Sequence, residues 1–260
     1  MSYKNSVVIT SANRTAVGSL GGSLKKIAGD ELGSKVISEA IKKSQLKNED
    51  IDEVVMGQVL TGGTGQNPAR QAAIRSGIPK EKPAYVVNQV CGSGIRSIAA
   101  GYQSIKTGDS KIIIAGGQES MSLAPHAIHL RDGKKLGDTH IIDTMIKDGL
   151  WDAFNGYHMG ITAENVAEKF QITREEQDKF ALISQEKAIK AQKENKFKNE
   201  ILSFKIKSKS TEVNFNKDEH PREGINLETL SRLKPVFKKD GTVTAGNASG
   251  INDGAAAVTL

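Results

Sequence analysis

The sequence has very little cysteine and no long apolar run. Its 260 residues include a single cysteine, Cys91, which excludes an intrachain disulfide and favours a reducing compartment. No stretch reaches the roughly 18 apolar residues that a membrane-spanning helix needs, and residues 1–5 lack the apolar core of a signal peptide. We therefore expect a cytoplasmic protein without a membrane partner.

Aromatic residues are also scarce, at 5% of the chain, and no nucleic-acid-binding motif is present. The net charge is +6, and residues 187–209 hold eight lysines against two glutamates. Such a stretch attracts anions. Because aromatic residues are few and no nucleic-acid-binding motif is present, a phosphorylated small molecule is favoured over nucleic acid. A solvated basic face explains the same lysines equally well. We predict no nucleic-acid partner and no metal site.

Strand-like and helix-like segments alternate over the first 121 residues. Short apolar runs at 7–10, 54–56, 85–87 and 111–115 predict strands, and apolar residues at helical spacing lie between them, one helix opening at Pro68. Continuously apolar strands are typical of a parallel sheet with helices on both faces. The predicted fold class is therefore α/β, with a mixed, largely parallel sheet flanked by helices.

The character of the sequence changes after residue 121. Residues 122–160 are loop-rich, and Thr173 to Glu176 has the form of a capping box that opens a long helix. Residues 202–206 alternate between apolar and polar side chains, which predicts a strand, and residues 213–215 supply a partner for it. These features predict a second, α+β domain.

Sheet-like sequence returns at residues 242–245 and 255–260. Because these segments resume the pattern of the first 121 residues, the middle section reads as an insertion. The predicted α/β domain comprises residues 1–121 and 242–260, and the inserted α+β loop domain comprises residues 122–241.

Cys91 lies where a strand turns into a helix. Tyr85–Val87 predicts a buried strand, the Gly-Ser-Gly run that follows Cys91 allows a sharp turn, and a helical pattern begins at Ile95. A cysteine at the start of a helix faces unpaired backbone N–H groups and the positive end of the helix dipole, both of which favour the thiolate. A lone cysteine is more often a small buried hydrophobe, but this context predicts a nucleophile.

The helix after Cys91 has almost no polar side. Apart from Arg96, the residues from Gly94 to Gly101 are small or apolar. A helix of this kind is normally buried all round. Since one sheet covers only one face, we expect a second layer over the other.

Five short segments of the chain have sequences that are distinctive when they are taken together and in order. In order they are GQNPAR (65–70), NQVCGSG (88–94), GGQESM (116–121), YHMG (157–160) and GNASGINDG (246–254). In sequence and order they resemble blocks of the thiolase family, specifically the short-chain acetyl-CoA acetyltransferases. The resemblance implies two similar α/β halves in a five-layer αβαβα core. It also implies a coenzyme A-binding loop domain inserted in the first half.

The resemblance implies condensation of two acetyl-CoA molecules to acetoacetyl-CoA, or the reverse thiolysis, through an acyl-cysteine on Cys91. Coenzyme A thioester is then the substrate and no bound cofactor is expected, while homo-oligomers, dimers or tetramers, are expected as in the family. Six substrate-binding residues carry over: His158 and Met159 beside the pantetheine end and acyl pocket, Ser249 bonded to pantetheine, Ala245 lining its tunnel, and Arg222 and Thr229 at the nucleotide end.

The sequence departs from the family in one respect. Full-length members also carry a histidine in a Gly-His-Pro segment and a cysteine in a Cys-x-Gly-Gly segment, which act as base and acid. Neither segment occurs in these 260 residues. We therefore interpret the chain as the first thiolase half with its loop domain, and expect little or no thiolase turnover from it alone.

Two other interpretations stay open. One is a cysteine hydrolase that uses Cys91 with His158. The other is a non-catalytic half-thiolase that binds coenzyme A or a partner through an exposed apolar face. Acylation of Cys91 by acetyl-CoA is the check on the first of these. For the second, removal of the other half is expected to leave a large apolar patch that favours association.

Overall fold

A computed structural model describes residues 6–208 and 211–260. Residues 1–5, considered above for a signal peptide, and Lys209 of the lysine-rich stretch lie outside the described residues. Within the two described ranges, no helix has the length and apolar character needed to cross a membrane. The chain forms two units. Unit 1 comprises the described residues up to Pro125 with Asn199–Asp218 and Asn252–Leu260, and unit 2 comprises His126–Lys198 and Glu219–Ile251.

The elements are numbered in chain order. The helices are α1 (Gly29–Lys43), α2 (Pro68–Arg75), α3 (Ser93–Thr107), α4 (Met159–Phe170), α5 (Arg174–Lys193) and α6 (Leu227–Ser231). The strands are β1 (Ser11–Thr15), β2 (Gly18–Ser19), β3 (Glu53–Gly57), β4 (Ala84–Val87), β5 (Ile113–Ser120), β6 (His126–Ala127), β7 (Ile142–Asp143), β8 (Trp151–Asp152), β9 (Tyr157–His158), β10 (Ile201–Leu202), β11 (Phe204–Ser208), β12 (Thr211–Phe215) and β13 (Asn252–Thr259).

One mixed sheet forms the centre of unit 1. Its strands follow the order β10-β1-β13-β5-β3-β4, and β2 pairs with the beginning of β13. Strands β4, β3 and β5 are parallel and are connected through α2 and α3, as βαβ units require. Strand β13 runs antiparallel to both of its neighbours, β1 and β5. The predicted α/β class, with a mixed and largely parallel sheet, is confirmed.

Side chains alternate between the two faces of the sheet, and each face has its own apolar core. In β3, Val54 and Met56 pack in the core formed with α1 and α2, whereas Val55 between them packs on the opposite face. There it meets Ile98 and Ile105 of α3. Because consecutive residues of β3 are apolar, both faces of the sheet can be covered at this strand.

Within the described ranges, α3 is covered on one side only. Its buried residues are Ser93, Ser97 and Gly101, which follow one another at intervals of one helical turn. On the other side Ile95 is 75% exposed and Tyr102 is 49% exposed. The second layer predicted from the apolar character of this helix is therefore not supplied by the part of the chain that the structure describes.

Two strand predictions are wrong, one in its position and one because no strand forms. Strand β1 begins at Ser11 rather than at residue 7, because the register with β13 pairs Ser11 with Thr259, and Val8 is left 58% exposed. Residues 242–245 are not a strand, although Thr244 forms an isolated bridge. The N–H groups of Thr242 and Val243 donate to a side-chain carboxylate instead of to a neighbouring strand.

The two units divide the chain at other residues than the predicted boundaries of 121 and 242. Strand β10 pairs with β1, and Ile206 and Phe215 of the hairpin β11–β12 are buried in the same core as α1. The predicted alternation of this hairpin is correct, but its apolar face completes the core of unit 1. Residues 242–251 belong to unit 2.

Ion pairs fix the ends of the 199–218 segment to β1. Arg14 donates from Nε to Glu200 at 2.8 Å and from two further nitrogens to Asp218 at 2.7 and 3.1 Å. The Val17 N–H also donates to Asp218, at 2.7 Å. Burial alone lowers the pKa of Arg14, but hydrogen bonds and charges from Asp218 and Glu200 outweigh it and raise that pKa. Asp218 is therefore the central acceptor of this attachment.

We expect Asp218→Ala to lower the free energy of unfolding by about 3 kcal/mol, because Arg14 would keep a poorly exposed charge without its main partner. The control is Glu212→Gln, which removes an exposed pair with Lys205 on the same segment and costs no more than about 0.5 kcal/mol. Urea unfolding followed by circular dichroism measures both changes. Equal unfolding midpoints for the two variants would contradict the assignment.

Candidate active site

Cys91 lies on an exposed turn between β4 and α3. It immediately precedes Gly92, the N-cap residue of α3. The residue before it, Val90, has a φ angle of +49°. A β-branched side chain in this left-handed region costs about 1–3 kcal/mol. The turn that presents the thiol is therefore strained, and its surroundings must hold it.

Two polar side chains of the NQVCGSG segment hold the turn. The Asn88 Oδ1 accepts a hydrogen bond from the Val90 N–H at 2.9 Å. The Ser93 Oγ accepts from the Gln89 N–H at 2.9 Å and donates to the Val90 carbonyl. Both main-chain groups of the strained residue are thus bonded to side chains within a few positions of Cys91.

Glycines bring the start of α3 close to the sheet. A Cβ at Gly57 of β3 would lie 2.4 Å from the carbonyl carbon of Ser93, and a Cβ at Gly117 of β5 would lie 3.5 Å from the Gly94 Cα. The Ser97 hydroxyl then donates to the Gly116 carbonyl at 2.6 Å. The N-terminus of α3, and the thiol beside it, are therefore fixed against two strands.

Cys91 lines a cavity of about 360 Å³ in unit 1. Other lining residues include Gly57, Val90, Glu119 and Ala256. The N-terminus of a helix stabilises negative charge. A substrate carbonyl oxygen that becomes negative during acyl transfer would be stabilised beside this exposed thiol.

Glu119, on β5, is a carboxylate in this cavity that was not predicted as a site residue. It accepts from the Val59 N–H at 2.8 Å and from the Leu60 N–H. Burial raises the pKa of Glu119, the charge of Asp253 adds to that rise, and the two N–H donors oppose it. Its contacts span about 60 residues of sequence, so no local pattern indicated them.

In unit 2, His158 is the N-cap residue of α4. Its Nδ1 accepts from the Gly160 N–H at 3.0 Å, so a neutral imidazole carries its proton on Nε2. The ring stacks on Phe237 with centroids 4.7 Å apart. A Cβ at Gly160 would lie 2.3 Å from the Phe237 ring, so glycine is required for the stack. Phe237, 79 positions further along the chain, had no sequence signal.

The other predicted residues of unit 2 lie on helix ends and loops. Met159 is the first residue of α4 and is 37% exposed. Arg222 lines a groove of about 490 Å³ beside α5, and its N–H donates to Gln185. Thr229 takes part in the capping box of α6, where its hydroxyl bonds to the main chain of Asn226.

Ala245 and Ser249 are both exposed and lie on one loop, which follows the isolated bridge at Thr244. The structure therefore places Cys91 in unit 1 and brings the six substrate-binding candidates into unit 2, two of them adjacent at the start of α4 and two on a shared loop.

Comparison with known proteins assigns the chain to a family. The sequence model described as "Thiolase, N-terminal domain" matches residues 7–260. The chain belongs to the thiolase family. The resemblance carried by the five sequence segments is thereby confirmed.

Individual thiolases agree with this assignment. The chain is 57% identical over 255 residues to the acetyl-CoA acetyltransferase of Rhizobium meliloti and 56% identical over 256 residues to that of Cupriavidus necator. Each match covers 98% of this chain and 65% of the relative, so the chain spans about two-thirds of the length of these relatives. The crystal structure of the Bacillus anthracis acetyl-CoA acetyltransferase superposes with a TM-score of 0.93 at 42% identity, covering 97% of this chain and 64% of that one.

We expect Val90→Gly to leave the stability of this thiolase unchanged or to raise it, because glycine adopts a positive φ without steric cost. The control is Val8→Gly in the same unit: Val8 is 58% exposed against 50% for Val90, and its ordinary φ gains nothing from glycine. There the added freedom of the unfolded chain costs about 0.5–1 kcal/mol. Thermal unfolding measures both, and a Val90→Gly loss as large as the control loss would show that the turn is unstrained.

Proposed function

We propose that this chain is the Cys91-bearing part of an acetyl-CoA C-acetyltransferase that forms or cleaves acetoacetyl-CoA through an acyl-cysteine. The observation that carries the proposal is the thiol itself: it stands exposed on a strained turn at the start of α3, inside a segment that matches the family nucleophile. Membership of the thiolase family supports this chemistry over that of a cysteine hydrolase.

The proposed step is the transfer of an acetyl group from coenzyme A to Cys91. The thiol loses its proton and Sγ attacks the thioester carbonyl, forming a new S–C bond. The main-chain N–H of Cys91 donates to the oxygen that becomes negative. The bond to the coenzyme A sulfur then breaks, and the released thiolate takes up a proton. Acetyl-CoA and Cys91 become S-acetyl-Cys91 and coenzyme A.

The carbon–carbon bond needs groups that these residues do not contain. Deprotonation of the second acetyl group requires an acid–base pair near the acyl-cysteine, and the sequence has neither a second cysteine nor a Gly-His-Pro histidine. Within this chain the proposed chemistry therefore stops at the acyl-cysteine.

Further copies of the chain are the proposed protein partners.

Unit 2 is the proposed binding site for coenzyme A. The groove beside Arg222 is also lined by Lys190 and Lys193, each of which pairs with a glutamate of the same groove, Glu194 and Glu223. In the proposed complex the phosphates of the nucleotide end compete with these glutamates for the two lysines. His158 offers an Nε2–H donor and Met159 an apolar surface for the pantetheine end. Ala245 and Ser249 present a loop that meets the pantetheine arm. Thr229 contributes to this site through the cap of α6.

Incubation with acetyl-CoA tests the proposed acyl transfer. We expect intact-protein and peptide mass spectrometry to find one acetyl group on Cys91, labile to hydroxylamine as a thioester is. The control variant Cys91→Ala should take up none. Acetyl groups found only on lysines would overturn the proposal, and binding of coenzyme A without acylation would favour the non-catalytic alternative.

Arg222→Gln tests the nucleotide end of the proposed site. We expect about tenfold weaker binding of coenzyme A, or about 1.4 kcal/mol, because the guanidinium no longer pairs with phosphate. Arg232→Gln is the matched control, since Arg232 is paired with Glu228 on α6 and does not line the groove. A short acetyl thioester without a nucleotide should acylate both variants equally. Equal binding of coenzyme A by the two variants would remove Arg222 from the site.

A further inference from the structure

The loop of residues 242–251 is buried on its inner side although it has little regular structure. Val243 is 5% exposed and Thr244 is 0% exposed, while Ala245 and Ser249 face outward. Buried main-chain N–H groups must find acceptors, and beyond the bridge at Thr244 no strand supplies them here. The acceptors that the loop uses therefore determine its conformation.

The first acceptor is the carboxylate of Glu164 on α4, a residue that is only 3% exposed. It accepts from the N–H of Thr242 at 2.9 Å, from the N–H of Val243 at 2.8 Å and from the Thr242 hydroxyl at 2.9 Å. A Cβ at Gly241 would lie 2.4 Å from the Glu164 Oε1, so glycine leaves room for the carboxylate.

The charge of Glu164 is adapted to this role. Burial by itself raises the pKa of Glu164, but the N–H groups of Val243 and Thr242, the Thr242 hydroxyl and the charge of Lys238 together hold that pKa below its usual value. The carboxylate is therefore ionised at neutral pH, and its contribution to stability is present above the unfolded pKa and is lost as the pH falls through the lowered value.

The second acceptor is Asp178 on α5, also 3% exposed. Its Oδ1 accepts from the Asn247 Nδ2 at 2.9 Å, and the same amide donates to the Thr242 carbonyl at 3.0 Å and accepts from the Thr244 N–H at 2.8 Å. Arg174 donates to the other oxygen of Asp178 at 2.8 Å. Asn247 thus closes the loop on itself and ties it to α5.

We infer that Glu164 and Asp178 are positioning residues, which hold the 242–251 loop in the conformation that presents Ala245 and Ser249 to the pantetheine arm of coenzyme A. The inference rests on the proposed function for its ligand. Buried carboxylates are costly to desolvate, and apolar residues of similar volume often stabilise a protein as well. What carboxylates add is a set of directed acceptors for particular N–H groups.

Glu164→Gln tests the inference against Glu168→Gln, the same change one turn along α4 at a carboxylate that pairs with Lys238 on the surface. Calorimetry measures binding of coenzyme A and of adenosine 3′,5′-bisphosphate, its nucleotide end, to the 260-residue chain. We expect Glu164→Gln to weaken coenzyme A binding by about fivefold or more, since a hydrogen-bonded charge fixing the loop is lost. The nucleotide fragment should bind as in the unchanged protein, and Glu168→Gln should alter neither affinity.

Other results of this experiment would overturn the inference. An equal loss for coenzyme A and for the nucleotide fragment would indicate general loosening of unit 2, and no loss for either would show that the loop does not depend on Glu164. Failure of the unchanged protein to bind coenzyme A would instead remove the proposed function and the pantetheine arm with it.

Hydrogen exchange tests the loop without any ligand. In Glu164→Gln and in Asp178→Asn we expect faster amide exchange over residues 242–249, while the middle turns of α4 and α5 keep their protection. Unchanged exchange in the loop would overturn the positioning role. Faster exchange throughout both helices would also overturn it, because the two carboxylates would then serve the fold of unit 2 as a whole.

Discussion

The start of α3 meets the sheet with no side chain between the two backbones. Gly57 and Gly117 leave the space into which Ser93 and Gly94 fit, and at Gly116 a Cβ would lie 2.0 Å from the Ala256 carbonyl oxygen. Main-chain atoms adapt far less than side-chain ends, so the helix start has little freedom to shift. The position of Cys91 therefore depends on strands β3, β5 and β13 as well as on the Asn88 and Ser93 side chains that hold its turn.

The second unit fixes its candidate residues by another means. There the exposed residues lie on helix starts and loops, and polar side chains supply the acceptors that a sheet would otherwise provide. The His158 imidazole caps α4, the Asn226 amide caps α6, and two buried carboxylates hold the 242–251 loop. Each of these acceptors lies within a helix or at the N-cap position just before it, so the helices determine the conformation of the adjoining loops.

Local signals predicted what depends on neighbouring residues. Pro68 opens α2, the Thr173–Glu176 capping box opens α5, and the alternation of residues 202–206 predicts the strand that the structure has at 204–208. The position of a strand in the sheet depends on distant partners. Strand β1 therefore begins four residues later than its apolar run at 7–10 predicts, and the direction of β13 was not predicted. Cys91 could be singled out as a candidate nucleophile because strand, turn and helix are contiguous around it. Phe237 and Glu164 could not, since each acts on residues more than 70 positions away.

Strand β13 lies in the interior of the sheet, between β1 and β5. Ser11 of β1 bonds to Thr259 of β13 across 248 positions of sequence. During synthesis on the ribosome, β1 therefore emerges long before the strand that joins it to β5. Until residues 252–259 arrive, β1 and β5 each present an unpaired edge, a state that is prone to non-native pairing. The order of strands thus requires the nascent chain to keep its first strand protected while more than two hundred residues are added, and it makes closure of the sheet a late, long-range step.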